Sequence, residues 1–547
     1  MSELYTYYLA ASRIVLPLLA LWCVFLWIRL FKKSTIKRHS LCELAADDEN
    51  VVSIYDSENL IGRSRVCDIQ LPVPTISKKH ALLYQDDDSW KISPLNGDIE
   101  VNNTQVVDSV KLFDGDRISF GGQIMTFRAP PIPLNDNHKI PSGGLLLLIL
   151  TLFQVILCGQ ICLRFASDLN LYIPSSFGIL ILGEWVYFIA TRFFKSFKII
   201  AETPVMFLCT LGLAITSCVQ PDALLKQVVC GFIGFSAYLV LCAILSNQSL
   251  TLKLRPLAAA AALLLLLGTV IFGTSYNGSK NWLFIGNFSF QPSEFAKIAF
   301  IFAGSSPLFL TDLKPFRRLI FFGFSAACMG SLAIMVDFGA VAIFFVAMII
   351  IMLMRLTDIK IVTGIVVLAA GGATLMMMIF PHIASRFGTW THVWQFANSS
   401  GYQQTRTLIY SASGGLFGVG GGNGYLHNII AADTDLVFGI VSEEWGGIIA
   451  LCLALCFAGL GFYAVKLSKT ARSGYYAVAV CAAAGIMIFQ TALNIFGSTD
   501  ILPLTGVTIM FVSRGGTSLV AAFIMMAFFK GAENPPEMLQ IERKSHI

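Results

Sequence analysis

A succession of apolar runs, each close to the length that crosses a bilayer, limits more than any other feature how this chain folds. A membrane-crossing helix needs about 20 mostly apolar residues. On that basis the sequence holds runs at 8–30, 143–163, 174–194, 203–220, 225–246, 257–274, 293–311, 317–336, 338–355, 361–380, 436–465, 475–496 and 509–529, about thirteen spans. Hydrophobic residues make up 56% of the chain and charged residues 13%, with a mean hydropathy of +0.71. Soluble domains carry about 25% charged residues, so lipid is the expected main solvent.

The net charge of +5 is mild and no long basic run points to nucleic acid. The 13 cysteines fall in apolar runs or in the polar N-terminal stretch, which argues against a disulfide framework. Cys158 and Cys162, like Cys452 and Cys456, stand one helical turn apart and read as small apolar residues on membrane helices rather than a metal site.

Charge gives the predicted topology. Lys32, Lys33, Lys37 and Arg38 follow the first run, the wrong flank for a cleaved signal peptide. By the positive-inside rule the N-terminus is outside and the chain after residue 31 is inside. If each run crosses once, Arg192, Arg255, Lys314, Arg355, Lys466 and Lys530 all fall on that same inner side. Three long loops are then outside, about 275–292, 381–435 and 497–508, and loops of such length are usually functional or disordered.

Residues 50–128 read as a small all-β sandwich in the cytoplasm: short alternating strands broken by turn signals such as Asn96-Gly97 and Asp114-Gly115-Asp116. Within it stand Gly62-Arg63-Ser64, then Ser77-Lys78-Lys79-His80, then Asn96-Gly97 and Val101-Asn102. That ordered set resembles a forkhead-associated (FHA) domain, which implies recognition of a phosphothreonine in a partner protein. Arg63 suits a bidentate grip on phosphate. Ser77 would donate its hydroxyl, Lys78 or Lys79 would add charge, and Asn96 would bond the peptide backbone. His80 is expected to brace the loop. The bland alternative is a sandwich whose Arg63 and Ser77 are ordinary surface residues.

The predicted outer loops are poor in charge, so the charges present stand out. The first carries Lys280-Asn281-Trp282 and leads into Pro292-Ser293-Glu294-Phe295-Ala296-Lys297. The second ends in a glycine-rich run over 414–424, then Asp433-Thr434-Asp435-Leu436 and Ser442-Glu443-Glu444-Trp445-Gly446. The third region holds Asn494, Leu502-Pro503-Leu504-Thr505-Gly506 and Ser513-Arg514-Gly515-Gly516. Together with Asp337-Phe338-Gly339 these motifs resemble the SEDS family (shape, elongation, division and sporulation proteins), which includes bacterial rod-shape and septal cell-wall polymerases. The resemblance covers about 203–530. The run at 8–30 and the two at 143–194 lie outside it, and 531–547 is a predicted cytoplasmic tail.

The resemblance implies a polytopic α-helical glycosyltransferase with a ten-helix core that polymerises lipid II, joining a sugar 4-hydroxyl to the anomeric carbon of the growing glycan as undecaprenyl pyrophosphate leaves. Such a transfer needs a base for the hydroxyl and charge compensation for the pyrophosphate. Asp435 matches the family's Asp in His-Thr-Asp-Phe and is the expected base; the bland alternative is a helix cap. Lys297 is expected to hold the pyrophosphate or to pair with Glu294 or Glu443. Lys280, Trp282 and Ser513 complete the expected substrate-binding set.

Asp337 is expected to be structural, and the run 414–424 to be flexible backbone near the substrate. A divalent cation, Mg or Mn, is plausible at the pyrophosphate, and a class B penicillin-binding protein (a transpeptidase) is the implied partner. Three positions depart from the family pattern: Asp433 replaces a His, Arg514 a Tyr and Val336 a Pro. A lipid II flippase, or an inactive scaffold recruiting partners through the FHA domain, are the competing readings.

Overall fold

The computed structural model describes residues 3–33, 40–46, 51–56, 58–64, 67–86, 89–128, 143–193, 199–276, 279–286, 288–305, 315–355, 359–471 and 473–533. Lys33 ends a 31-residue first helix, α1 (Glu3–Lys33). From there the chain enters a β-sandwich of eleven strands: β1 (Cys42–Ala46), β2 (Val51–Ile54), β3 (Glu58–Gly62), β4 (Ile69–Gln70), β5 (Ala81–Asp86), β6 (Ser89–Pro94), β7 (Ile99–Val101), β8 (Thr104–Gln105), β9 (Val110–Leu112), β10 (Arg117–Phe120) and β11 (Gln123–Arg128). One sheet runs β2-β1-β11-β10-β7-β8 and the other β4-β3-β5-β6-β9. Alternate residues turn inward, as the period of two requires, and Leu44, Ile61, Leu83, Trp90, Ile118 and Phe127 fill the core. The domain begins earlier than residue 50, because β1 pairs with β11 and closes the sheet.

Helices follow: α2 (Gly144–Arg164), α3 (Tyr172–Phe193), α4 (Glu202–Val219), α5 (Leu224–Ser246), α6 (Gln248–Phe272), α7 (Pro292–Gly304), α8 (Pro315–Ile334), α9 (Phe338–Arg355), α10 (Ile359–Ile379), α11 (Pro381–Thr389), α12 (Tyr402–Gly414), α13 (Ala432–Asp435), α14 (Val437–Glu444), α15 (Gly446–Ser468), α16 (Gly474–Ser498) and α17 (Gly516–Glu533). Among the described residues eleven helices are long and apolar enough to cross a membrane, against the thirteen spans expected. The predicted spans at 293–311 and 317–336 fall short. Helix α7 has 13 residues, or about 20 Å at roughly 1.5 Å per residue, and 306–311 lie outside the described residues. The apolar described part of α8 is Leu319–Ile334.

Two further expectations change. The run 436–465 is not one helix: it breaks between α14 and α15 at Gly446, whose φ is +89°. A side chain there would strike Leu416 O at 2.3 Å. The run 509–529 becomes helical only from Gly516. The loop expected at 275–292 is an antiparallel three-stranded sheet, β12 (Thr274–Tyr276), β13 (Ser279–Ile285) and β14 (Phe288–Phe290).

The bundle has two ends. Where α1 leaves for the sandwich, Trp27 Nε1 donates to Ile200 O (2.7 Å), Lys466 Nζ to Phe31 O (2.7 Å), and Lys530 Nζ pairs with Glu202 Oε1 (3.2 Å). Arg355 Nη2 donates to Ser305 O (3.4 Å) and Arg255 lies over the Tyr475 ring at the same end. At the other end are the β12–β14 sheet, α11 to α14 and the segment 499–515.

Candidate active site and phosphopeptide loops

The four-residue helix α13 carries Asp435 at the bundle end away from the α1–sandwich junction. Ala431 enters it with φ +59°, a left-handed conformation that costs a non-glycine residue about 1–2 kcal/mol. Backbone strain of this kind persists where surrounding contacts fix it, and here they do. Three consecutive carbonyls are held: Asp433 O by Arg514 N–H (2.9 Å), Thr434 O by the Ser513 hydroxyl (2.8 Å) and Asp435 O by Asn494 Nδ2 (3.0 Å). Asn494 also donates to Val507 O (2.7 Å), and Ser513 Oγ accepts Ile509 N–H (2.8 Å). The segment 507–514 and α13 are thus fastened together, and the Arg514 guanidinium rests on the Asp433 carboxylate.

The Asp435 carboxylate is half-buried beside Gly506, at φ +69°. A Cβ on that glycine would stand 3.3 Å from Asp435 Oδ2. Burial pushes the Asp435 carboxyl above its ordinary range; the Thr434 hydroxyl and the Arg386 charge pull it back, and Asp433 adds to the rise. Arg386, on α11, is exposed and donates to Leu504 O (3.2 Å). It was not among the expected site residues. The available signal is a lone cation on a short helix after Pro381, inside the longest predicted outer loop.

Lys297 is 2% exposed. Of the expected pairings it takes Glu294: Nζ donates to Glu294 Oε1 (2.8 Å) and to Gln490 Oε1 (2.9 Å). Gln490 donates onward to Thr508 O (3.0 Å) and precedes Asn494 by one turn of α16. Lys297 therefore connects to Asp435 through α16 and residues 507–508.

Glu443 accepts Tyr425 N–H (2.7 Å) and Leu426 N–H (2.9 Å); Glu444 accepts Gly422 N–H (3.0 Å) and faces His427. That contact holds the His427 imidazole above its usual pKa. The glycine run 414–424, expected to be flexible, is pinned instead. A Cβ on Gly414 would lie 2.2 Å from Ser442 O and one on Gly418 2.3 Å from Glu444 O, so these glycines permit close backbone packing.

Lys280 donates to Val270 O (2.7 Å) and closes the C-terminus of α6, while Trp282 stands opposite Thr274 in the β12–β13 ladder. Neither has a described contact with the Asp435 segment. Asp337 caps α9 through Ala340 N–H (3.1 Å) and accepts from Asn281 (2.8 Å), the structural place expected of it.

In the sandwich, Arg63 N–H donates to Ser77 O (3.0 Å) and the Ser77 hydroxyl to Asn96 O (2.6 Å), which gathers the three loops. His80 is buried; its Nδ1 accepts Ser77 N–H (3.2 Å), so Nε2 donates to Asp98 O (3.0 Å). A side chain on Gly97 would meet the His80 ring at 2.0 Å. Arg63, Lys78 and Asn96 are exposed, whereas Lys79 is buried.

The fold defines a multi-pass helical membrane protein with an appended β-sandwich. The chain belongs to the FtsW/RodA/SpoVE family of cell cycle proteins, matched over residues 190–533, and residues 59–121 form an FHA domain. Over 277 residues it is 32% identical to the probable peptidoglycan glycosyltransferase FtsW of Tolumonas auensis, covering 49% of this chain and 72% of that one. Over 281 residues it is 28% identical to the peptidoglycan glycosyltransferase RodA of Mycobacterium bovis, covering 47% and 59%. A chain of a peptidoglycan synthase complex, studied for its coordination of polymerization and crosslinking, shares the fold at 21% identity and TM-score 0.51, over 61% of this chain and 96% of that one.

Proposed function

We propose that this protein is a peptidoglycan glycosyltransferase that polymerises lipid II, with Asp435 as general base. The observation that carries the reading is a half-buried carboxylate on a backbone clamped at three successive carbonyls, with the exposed Arg386 beside it. A base held above the ordinary carboxylate range accepts a hydroxyl proton better at neutral pH. Asp435 takes the proton of the 4-hydroxyl as that oxygen bonds to the anomeric carbon, and the pyrophosphate leaves with the bonding pair. Arg386 offsets the charge that develops there. Lys297 and Glu294, paired with each other, hold α7 to α16 and keep residues 507–508 in register with Asp435. Ser513 acts by fixing Thr434, and Glu443 by fixing the turn at 425–426. Lys280 and Trp282 hold the β12–β13 ribbon against the end of α6.

Orientation follows from charge. Arg255, Arg355, Lys466 and Lys530 gather where α1 leaves for the sandwich, which supports a cytoplasmic placing of that end and an exterior placing of Asp435. Two buried cations of the bundle pair locally, Lys297 with Glu294 and Lys530 with Glu202, which favours chemistry at one surface over a flipping path across the bilayer.

Among the described residues no three metal-ligating side chains cluster. Asp433 is also engaged by Arg514, so the described residues do not make a resident site for Mg or Mn. The FHA domain binds a phosphothreonine-containing protein through Arg63, Ser77, Lys78 and Asn96, and a class B penicillin-binding protein crosslinks the product. Purified protein supplied with lipid II tests the polymerase reading. Asp435→Asn should lose roughly 10²–10⁴-fold in glycan formation, and equal polymer from both proteins would overturn it.

A further inference from the structure

The family match begins at residue 190, so α1 and α2 are additions to its core. They are not peripheral to the site. Gln160, near the end of α2, is 1% exposed and its amide touches three other parts of the chain. Nε2 donates to Ser12 Oγ on α1 (2.7 Å), while Oε1 accepts Gly421 N–H (3.1 Å) and the Trp445 indole N–H (3.2 Å). Both partners of Oε1 are obligate donors, which fixes the orientation of the amide.

Neighbouring contacts seat the same turn. Tyr5 on α1 accepts from Asn423 Nδ2 (2.6 Å), and a Cβ on Gly420 would stand 2.2 Å from Leu9 Cδ1. From its other side the turn is held by Glu444, through Gly422 N–H to its carboxylate (3.0 Å) and Gly420 N–H to its carbonyl (2.8 Å). Glu443 and Glu444 end α14, which starts two residues after Asp435.

We infer that Gln160 is a positioning residue for the Asp435 site: it locks the 420–423 turn and Trp445, and through them sets the register of the helix that follows the base. The inference rests on the polymerase reading, and its action is indirect, since Gln160 has no described contact with Asp435. Losing the acceptor leaves two buried N–H donors unpaired, whereas a carboxylate in its place keeps them paired.

The test uses the full-length protein in lipid bilayers and three variants, read by lipid II turnover and by hydrogen exchange over 419–426. Gln160→Leu should lower kcat about tenfold, the scale at which unpaired buried donors act, leave KM near wild type, and speed exchange over 419–426. Gln160→Glu should restore both readouts towards wild type. Trp445→Phe removes one bond only and should give an intermediate kcat. Gln154→Leu, on the same helix but bonded to Glu184 and Thr210, should leave 419–426 protected. Wild-type kcat and unchanged exchange in Gln160→Leu would overturn the inference. So would equal loss in Gln154→Leu and Gln160→Leu, which marks helix docking alone. A wild-type protein that makes no glycan overturns the polymerase reading instead, and unchanged exchange in Gln160→Leu would still reject the clamp.

Discussion

Arg514 holds Asp433 twice, its guanidinium on the carboxylate and its own N–H on the carbonyl at 2.9 Å. These are two of the three positions where the sequence departs from the family pattern, a His and a Tyr being expected. One ion pair accounts for both departures: a carboxylate two residues from the proposed base is answered by a cation from the facing segment. Arg514 retains a 38% exposed side chain, so solvent screens the pair and its coupling should be modest, about 1 kcal/mol. A double-mutant cycle of Asp433→Asn and Arg514→Gln should find a coupling of that size in lipid II turnover. Strictly additive losses would mean that the two side chains act separately.

The pH dependence follows from the charges around Asp435. Burial raises its pKa and Arg386 opposes the rise. A general base at Asp435 works deprotonated, so activity should fall as pH drops through that pKa, and the acid limb of kcat/KM should lie above the usual carboxylate value of about 3.9. Arg386→Gln removes the opposing charge and should move the limb to higher pH. Asp433→Asn removes a like charge and should move it lower. Shifts of the opposite sign would show that another group governs the limb.

Much of this arrangement was legible in the sequence, and the gaps have physical causes. Spans flanked by basic residues were readable because hydropathy and charge are local properties: Arg355 and Lys466 sit at helix ends where the alternation put them. The ordered FHA loops were readable for the same reason, and His80 takes the bracing place expected of it. The break at Gly446 was not readable, because it is imposed by Leu416 and Gly418 packing from another segment. β1 is not legible because Cys42–Ala46 is short and gains its identity from pairing with β11, far along the chain. The place of Arg386 is not legible because only tertiary contact with Leu504 brings it towards Asp435.

The FHA loops give a separate prediction. Arg63→Ala and Ser77→Ala should each weaken binding of a phosphothreonine peptide by tenfold or more, charge-assisted phosphate contacts being worth roughly 1.5–3 kcal/mol. Calorimetry with phosphorylated and unphosphorylated peptide measures it. Gly97→Ala should act differently, by driving a methyl into the His80 ring. It should lower the stability of the sandwich by about 1–3 kcal/mol and, with it, binding.

The Lys297–Glu294 pair distinguishes a structural cation from one that meets substrate. Lys297 is buried, and its described hydrogen bonds go to Glu294 and Gln490. Removing one partner of a buried pair leaves the other uncompensated, at a cost of about 3–5 kcal/mol. Lys297→Met alone should therefore lower the midpoint of thermal unfolding in lipid and sharply reduce glycan synthesis. Adding Glu294→Gln removes the stranded carboxylate. The double variant should recover most of the lost stability and, because Asp435 and Arg386 are untouched, a large part of the activity. Recovery of stability without any recovery of activity would show instead that the Lys297–Glu294 pair itself takes part in turnover.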